Sequence, residues 1–420
     1  MNMTSRSWAL RAILILAAFG LGATTALAEP RTLTRGKPMP TTTGPAAAVD
    51  DGFARRLFAR LAVEPGNVVV SPASVESCVA LALAGARGQT AAQIVETLGL
   101  APAERKDPGL LLDRYRTPAA QGPPTKDDPA ALVVVNSAWV QKGFPVHAAY
   151  RELLATNDRA TLELVDFAAQ SEAARQAINA WVDAKTQHKI KELLAPGVLD
   201  SSARLVLANA IYFKGQWLEP FDKDATQDQP FHRTGAADVT VPLMHRDARF
   251  KYLETDSYQA VQLPYVQGDL SMAVWLPRRA DGLAEMEREI CAQGIANSLA
   301  KLRTSAVDLY LPRFKLDEQS SLGEALVALG MKDAFSPRAD FSGISDQPLS
   351  LSAVVHQALV EVDEEGTEAA AATGAIAVTS TALPDVAPKK IFRADHPFVF
   401  AIRNHRTGDV FFMGRMAKPK

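Results

Sequence analysis

The 420-residue chain has little cysteine, few histidines and no excess of either charge. With Cys78 and Cys291 as the sole thiols, Cys-x-x-Cys metal spacing is excluded, and the seven histidines are scattered without a His-Glu-x-x-His pair. There is no Gly-x-Ser-x-Gly elbow and no Walker loop, and Gly85-x-x-Gly88 is too weak a pattern for phosphate binding. No metal or cofactor is expected. The 45 basic and 47 acidic side chains leave a net charge of −2, so nothing suggests a basic field for nucleic acid.

What is present is ordinary globular composition, 47% hydrophobic and 22% charged, in a length that suits one large domain or two small ones. At the N-terminus Arg6 and Arg11 precede the apolar run Ala12 to Leu21 and then Ala26-Leu27-Ala28. This reads as a secretory signal over residues 1–28, cleaved before Glu29. The alternative, an uncleaved anchor, has an apolar run that is short for spanning a bilayer. Residues 29–49, rich in Pro, Thr and Gly, read as a flexible lead-in. The mature chain would carry 43 basic and 47 acidic groups, a net −4. It is expected to be secreted or periplasmic and free of the membrane after cleavage. Export permits a disulfide, but Cys78 shares an apolar helical face with Val75, Val79, Ala82 and Leu83 and reads as a buried free thiol.

Ser71 as N-cap with Pro72 in the first position starts the helix that carries Cys78. Ala174, Ala177, Ile178, Trp181 and Val182 recur at helical spacing and predict a second amphipathic helix. Leu132–Val140, Leu205–Phe213, Leu270–Leu276 and Val307–Leu311 read as strands, and Phe398–Ile402 with Val410–Met413 as a hairpin around Asn404 to Gly408. Helices come early and strands late, without a repeated unit, which predicts a mixed α/β (α+β) fold of several sheets.

The most informative stretch is Gly366, Thr367, Glu368, Ala369, Ala370, Ala371, Ala372 and Thr373. Its alanines favour helix, but Gly366, Thr373 and Gly374 flank them closely. At a period of two, Thr367, Ala369, Ala371, Thr373, Ala375 and Ala377 share one face, all small, while Glu368 points to the other. Such a segment could slide between two strands without a clash or a buried charge.

In this the chain resembles the serpin family. Asn67–Ser74 followed by Gly85–Thr90 is similar to the family's second helix, and Leu207–Trp217 to its third central-sheet strand. Leu311–Leu316, Leu329–Met331, Ala339–Gly343 and Phe392–Phe398 also fit, in the family's order, so that the resemblance runs from about Asp50 to Pro419. It implies a single serpin domain over residues 50–420, with three β-sheets, about nine helices and an exposed reactive centre loop at about 364–391.

The resemblance also implies a function, serine-type endopeptidase inhibition by a suicide substrate, and no enzyme activity of the chain's own. A target serine protease would cut the loop and form a covalent acyl complex, then be carried along as the loop inserts as a new central strand. About 15 residues at roughly 3.3 Å each would move it about 50 Å. A dozen new backbone bonds at about 1 kcal/mol each would supply on the order of 10 kcal/mol, so the uncut form is a kinetic trap. By the same resemblance Ser71, Ser74, Asn209 and His356 form a shutter beneath the sheet, although a helix cap plus satisfied polar groups would explain them as well. Arg313 and Glu364, near Trp217, match the breach where insertion begins. As an exposed pair they would contribute at most about 1 kcal/mol and so set a rate.

Counting forward from Glu364 by the family's usual spacing places the reactive bond at Ser380-Thr381. Counting back from Pro397 places it near Val386-Ala387, because the loop is about six residues longer than usual. The forward count is preferred, since the inserting strand needs a fixed length. Ile376 to Ala382 is small and uncharged and suits an elastase-like or subtilisin-like protease better than a trypsin-like one. Three other readings stand beside this one: a non-inhibitory serpin acting as chaperone, carrier or storage protein, an inhibitor of a cysteine protease, and an exported hydrolase that no local motif supports. A monomer is expected, and Ala101 to Ala130 makes no basic helix for a heparin-like polyanion.

Overall fold

Local chemistry explains where several elements begin. The computed structural model describes residues 51–106, 110, 131–155, 160–266, 268–367 and 388–419. Their α-helices are α1 (Gly52–Leu61), α2 (Pro72–Gly85), α3 (Gly88–Leu98), α4 (Pro102–Lys106), α5 (Ala148–Ala155), α6 (Phe167–Lys185), α7 (Leu283–Gln293), α8 (Ile295–Ala300) and α9 (Gly323–Leu329). Ser71 Oγ accepts from the Ser74 N–H at 3.1 Å with Pro72 in the first turn, and Asp166 caps α6 through the Ala169 N–H at 3.0 Å.

The strands are β1 (Val68–Val70), β2 (Ala131–Gln141), β3 (Ala160–Val165), β4 (Leu205–Gln216), β5 (Gln227–Phe231), β6 (Val239–Glu254), β7 (Tyr258–Pro264), β8 (Leu270–Pro277), β9 (Arg303–Pro312), β10 (Phe314–Ser321), β11 (Leu351–Val362), β12 (Gly366–Thr367), β13 (Lys390–Arg393), β14 (Phe398–Asn404) and β15 (Val410–Met416). Six form one sheet in the order β10-β11-β12-β4-β2-β3. The other nine form a ladder β1-β15-β14-β8-β7-β6-β9-β13 with β5 on β6. The reading of several sheets holds, in two continuous ladders, because β6 spans 16 residues. Its first part pairs with β5 and β9 while Lys251–Glu254 pairs with β7, which joins what would otherwise be two sheets.

The centre of the six-stranded sheet is buried on both faces, while its edge strands β10 and β3 carry exposed residues. Along β4, Leu205 and Leu207 pack in the cluster of α2 and α3, Ile211 and Phe213 in the core shared with the larger sheet, and Val206, Ala208 and Ala210 against α6. A central strand covered on both sides should read as a continuous apolar run, and over Leu205–Phe213 this one does apart from Asn209 and Tyr212. Cys78 is a fully buried free thiol, its pKa raised by burial. Cys291 is also free, partly buried and pushed up to about 11, first by burial.

Candidate functional site

β4 and β11 lie side by side in the middle of the six-stranded sheet, yet 135 residues or more of chain separate them. They pair in parallel from Leu205/Leu351 to Tyr212/Leu359. Parallel pairs are slightly less stable than antiparallel ones, so this seam is weaker per residue than an antiparallel one would be. Above it the chain turns back on itself. The Asp363 carboxylate accepts from the N–H groups of Glu365 (2.9 Å) and Gly366 (3.1 Å), and the Asp363 N–H donates to the Gly366 carbonyl. The reversal sends β12 down between the two strands, antiparallel to both: Thr367 faces Val362 of β11 and Gly215 of β4.

This close approach requires glycine at 366. A Cβ there would sit 1.9 Å from the Gly215 carbonyl oxygen and 2.7 Å from Gln216 Cα, both backbone atoms that cannot swing away. Thr367 is fully buried, with its hydroxyl 2.7 Å from the Tyr265 hydroxyl. Tyr265 stacks on Trp217 at 4.6 Å, and Trp217 in turn donates its ring N–H to the Asp363 carbonyl at 2.9 Å and its backbone N–H to Glu365. Burial pushes the Tyr265 hydroxyl far up, so it stays neutral.

The expected exposed pair of Arg313 and Glu364 is not exposed on its acidic side. Glu364 is only 2% accessible, while the Arg313 side chain is 43% accessible. Arg313 Nε donates to both carboxylate oxygens at 2.7 and 2.8 Å, its Nη2 lies 2.5 Å from Oε1, and the Thr226 hydroxyl donates as well. Burial works to raise the Glu364 pKa, but the Arg313 and Thr226 hydrogen bonds outweigh it and the net direction is down. The bound of about 1 kcal/mol for an exposed pair therefore does not apply. Lys223 holds Glu365 in a second ion pair beside it.

Lower down, the seam is crossed by a polar network. Register aligns Asn136 of β2, Asn209 of β4 and His356 of β11 in one row, facing α2. The Ser71 N–H donates to His356 Nε2 at 3.1 Å, so the neutral ring carries its proton on Nδ1 and gives it to Asn209 Oδ1. Asn209 Nδ2 donates to Ser74 Oγ and Asn136 Oδ1, each at 2.6 Å, and Asn136 Nδ2 donates to Ser77 Oγ at 2.9 Å. Burial lowers the His356 pKa to about 3. The four sequence-predicted residues thus come together in one cluster. The hydrogen bond between His356 and Asn209 spans the seam.

A family model for serpin (serine protease inhibitor) matches residues 48–419. The chain belongs to the serpin family. It is 40% identical to Iripin-2 of Ixodes ricinus over 371 residues, covering 87% of this chain and 91% of that protein. It is 38% identical to the leukocyte elastase inhibitor of Bos taurus over 388 residues, covering 89% of this serpin and 99% of the relative. The structure of Arabidopsis AtSerpin1 in its native stressed conformation superposes with a TM-score of 0.79 at 28% identity, over 88% of this serpin and 96% of that chain.

Of the hinge, Gly366 and Thr367 sit in the sheet as described, whereas Glu368 to Thr373 and both candidate bonds, Ser380-Thr381 and Val386-Ala387, lie outside the described residues. Sequence reasoning missed Asn136, Ser77, Thr226, Lys223, Tyr265 and Asp363. Asn136 had a signal, since it interrupts the apolar run of β2. Ser77 lies inside the buried helix α2, and the others are polar residues in polar stretches or a tyrosine beside a strand end, so only contacts across the fold select them. Among the described residues no group of three or more His, Cys, Asp or Glu converges as a metal site would.

Proposed function

We propose that this serpin inhibits serine proteases as a suicide substrate, by inserting its cut loop between β4 and β11. The observation that carries the reading is the register. Thr367 lies between Val362 and Gly215, and lower down His356 faces Asn209 with the same offset between the strands. The two strands need only part sideways, without slipping along one another. Continued in steps of two, β12 would bring Ala369 between Phe213 and Val360, Ala371 between Ile211 and Ala358, and Thr373 between Asn209 and His356. The small face would enter the interior, and a threonine hydroxyl would arrive where the seam's hydrogen bond had been. One parallel pairing would be exchanged for two antiparallel ones, in the favourable direction.

The same count places Ala377 opposite Leu205, the lower end of β4. A bond at Ser380-Thr381 would then lie about three residues below the sheet, whereas one at Val386-Ala387 would leave about 20 Å more slack. Slack weakens the pull on an attached protease, so the reading favours Ser380. In the covalent step the protease's serine hydroxyl attacks the Ser380 carbonyl carbon. The ester forms as the bond to Thr381 breaks, and Thr381 leaves as the protonated amine. The protease supplies this chemistry, and the serpin supplies the bond and the movement. The loop's small, uncharged residues suit an elastase-like or subtilisin-like target. Residues 1–28 are proposed to be a cleaved export signal; the secreted protein should begin at Glu29.

The test is incubation of the mature protein with pancreatic elastase, subtilisin, chymotrypsin and trypsin, followed by denaturing electrophoresis and melting of the cut form. A band at the summed mass that survives denaturation, with peptides ending at Ser380, is the expected result. Cleavage without such a band and without a rise in melting temperature would instead favour a chaperone, carrier or storage role. Papain in a parallel arm separates cysteine-protease trapping from serine-protease trapping.

A further inference from the structure

Away from the seam, the end of α1, the first turns of α7 and the last residues of β15 and its tail enclose a cavity of about 330 Å³. Small-molecule sites run from about 300 to 1,000 Å³, so it has the size of one. Its floor is a closed polar knot. The Arg415 guanidinium donates to the carbonyls of Ala62 (3.1 Å), Gly66 (2.7 Å) and Glu64 at the end of α1, and pairs with Glu287 of α7 at 3.3 Å. Arg415 thereby satisfies the C-cap carbonyl of α1 and two carbonyls of the turn that follows it, and its charge is matched by Glu287.

The walls are apolar: Val63, 66% accessible, with Leu283, Ala284 and Pro397. The other acid on the wall, Asp281, has both oxygens engaged by Arg279 at 2.9 and 2.8 Å. At the rim stand Arg233 and Lys418. Arg233 Nε donates to the Ala237 carbonyl, and among the described residues neither rim cation meets an acid. The cavity therefore combines apolar walls, two acids each paired with an arginine, and two further lining cations.

We propose that this cavity binds an amphipathic organic anion: a carboxylate on an apolar body of about a dozen heavy atoms. The apolar part displaces water from Val63 and Leu283, and the acid sits between Arg233 and Lys418. The site shares no lining residue with the seam and is independent of the inhibitory reading.

The probes are hexanoate, octanoate and decanoate, with decanol and decyltrimethylammonium as controls, titrated calorimetrically into the mature protein. Decanoate should bind one to one, and affinity should rise by up to about fourfold per added methylene as apolar surface leaves water. The Arg233→Ala/Lys418→Ala double variant should bind decanoate at least about fivefold more weakly. Ala284→Trp, which fills the space from an exposed helical position, should abolish binding. Ala284 and Lys418 are exposed and Arg233 is half-buried, and matched melting curves check the fold. Decanol or the ammonium binding as tightly as decanoate overturns the proposal. So does affinity indifferent to either variant, or no saturation by about 1 mM.

Discussion

Replacing Glu364 by lysine would set a second cation against Arg313 in a site where the native carboxylate is almost wholly enclosed. Removing one member of a buried pair costs about 3–5 kcal/mol. Here Arg313 keeps contact with solvent and stays hydrated when its partner goes, so the cost falls to about 2 kcal/mol. If the pair breaks before the seam parts, that is about thirtyfold in the rate of opening. Glu364→Gln keeps an acceptor for Thr226 and costs about 1 kcal/mol, or roughly fivefold. Arg313→Ala leaves the carboxylate with Thr226 alone and should approach the lysine variant. The assay is loss of monomer by size exclusion during incubation some degrees below melting, with insertion or polymerisation as the products. The Arg313→Ala/Glu364→Gln double variant should open more slowly than the two single effects multiplied, because they share one contact. Rates within about twofold of the parent for Glu364→Lys and Arg313→Ala would refute the reasoning.

Burial holds His356 at about 3, below its ordinary 6.5, so the native protein keeps it neutral while the unfolded chain takes up a proton. Its contribution is full above about pH 6.5 and is lost at about 1.4 kcal/mol per unit as pH falls towards 3, about 2 kcal/mol by pH 5. His405 is also held down by burial. The check is therefore the difference between the parent and His356→Gln: a parent melting curve no more sensitive between pH 7 and 5 than the variant's would contradict it. Gly366→Ala forces a methyl against the Gly215 carbonyl. It should unseat β12 at a cost of about 1–3 kcal/mol and lower the yield of covalent complex, and an unchanged inhibition stoichiometry would count against it. Ala371→Arg puts a charge on the inserting face, at several kcal/mol if buried unpaired. Electrophoresis should show the serpin cut but the protease released; retained trapping would contradict the proposed register.

The parts legible in sequence were those set by neighbours in the chain. Ser71 and Pro72 announce α2 because a cap and a fixed φ act within one turn. β2, β4, β8 and β9 are apolar runs or alternations, and β14 and β15 flank a polar turn. β6 and β7 were not legible: β6 carries charges such as Arg246, Asp247, Arg249 and Lys251 along a partly exposed face, and reads as a loop until its partners are known. Sequence separation hid most of the site. Thr226, Lys223 and Tyr265 lie in stretches with no pattern of their own, and they matter because the turn at Asp363 is folded against them.

The sequence by itself determined the size and charge of every side chain on the hinge, the helix that carries the serines, and the family, because these depend on local conformation and on residue order. Tertiary structure alone decided that Glu364 is buried, that Asn136 joins the network, and that Thr367 lies in the sheet. It also decided that His356 meets Asn209 across 147 residues of chain. Burial and strand register are properties of what packs against a residue, and no local preference of the chain encodes the distance between two strands that meet only when the whole sheet has formed.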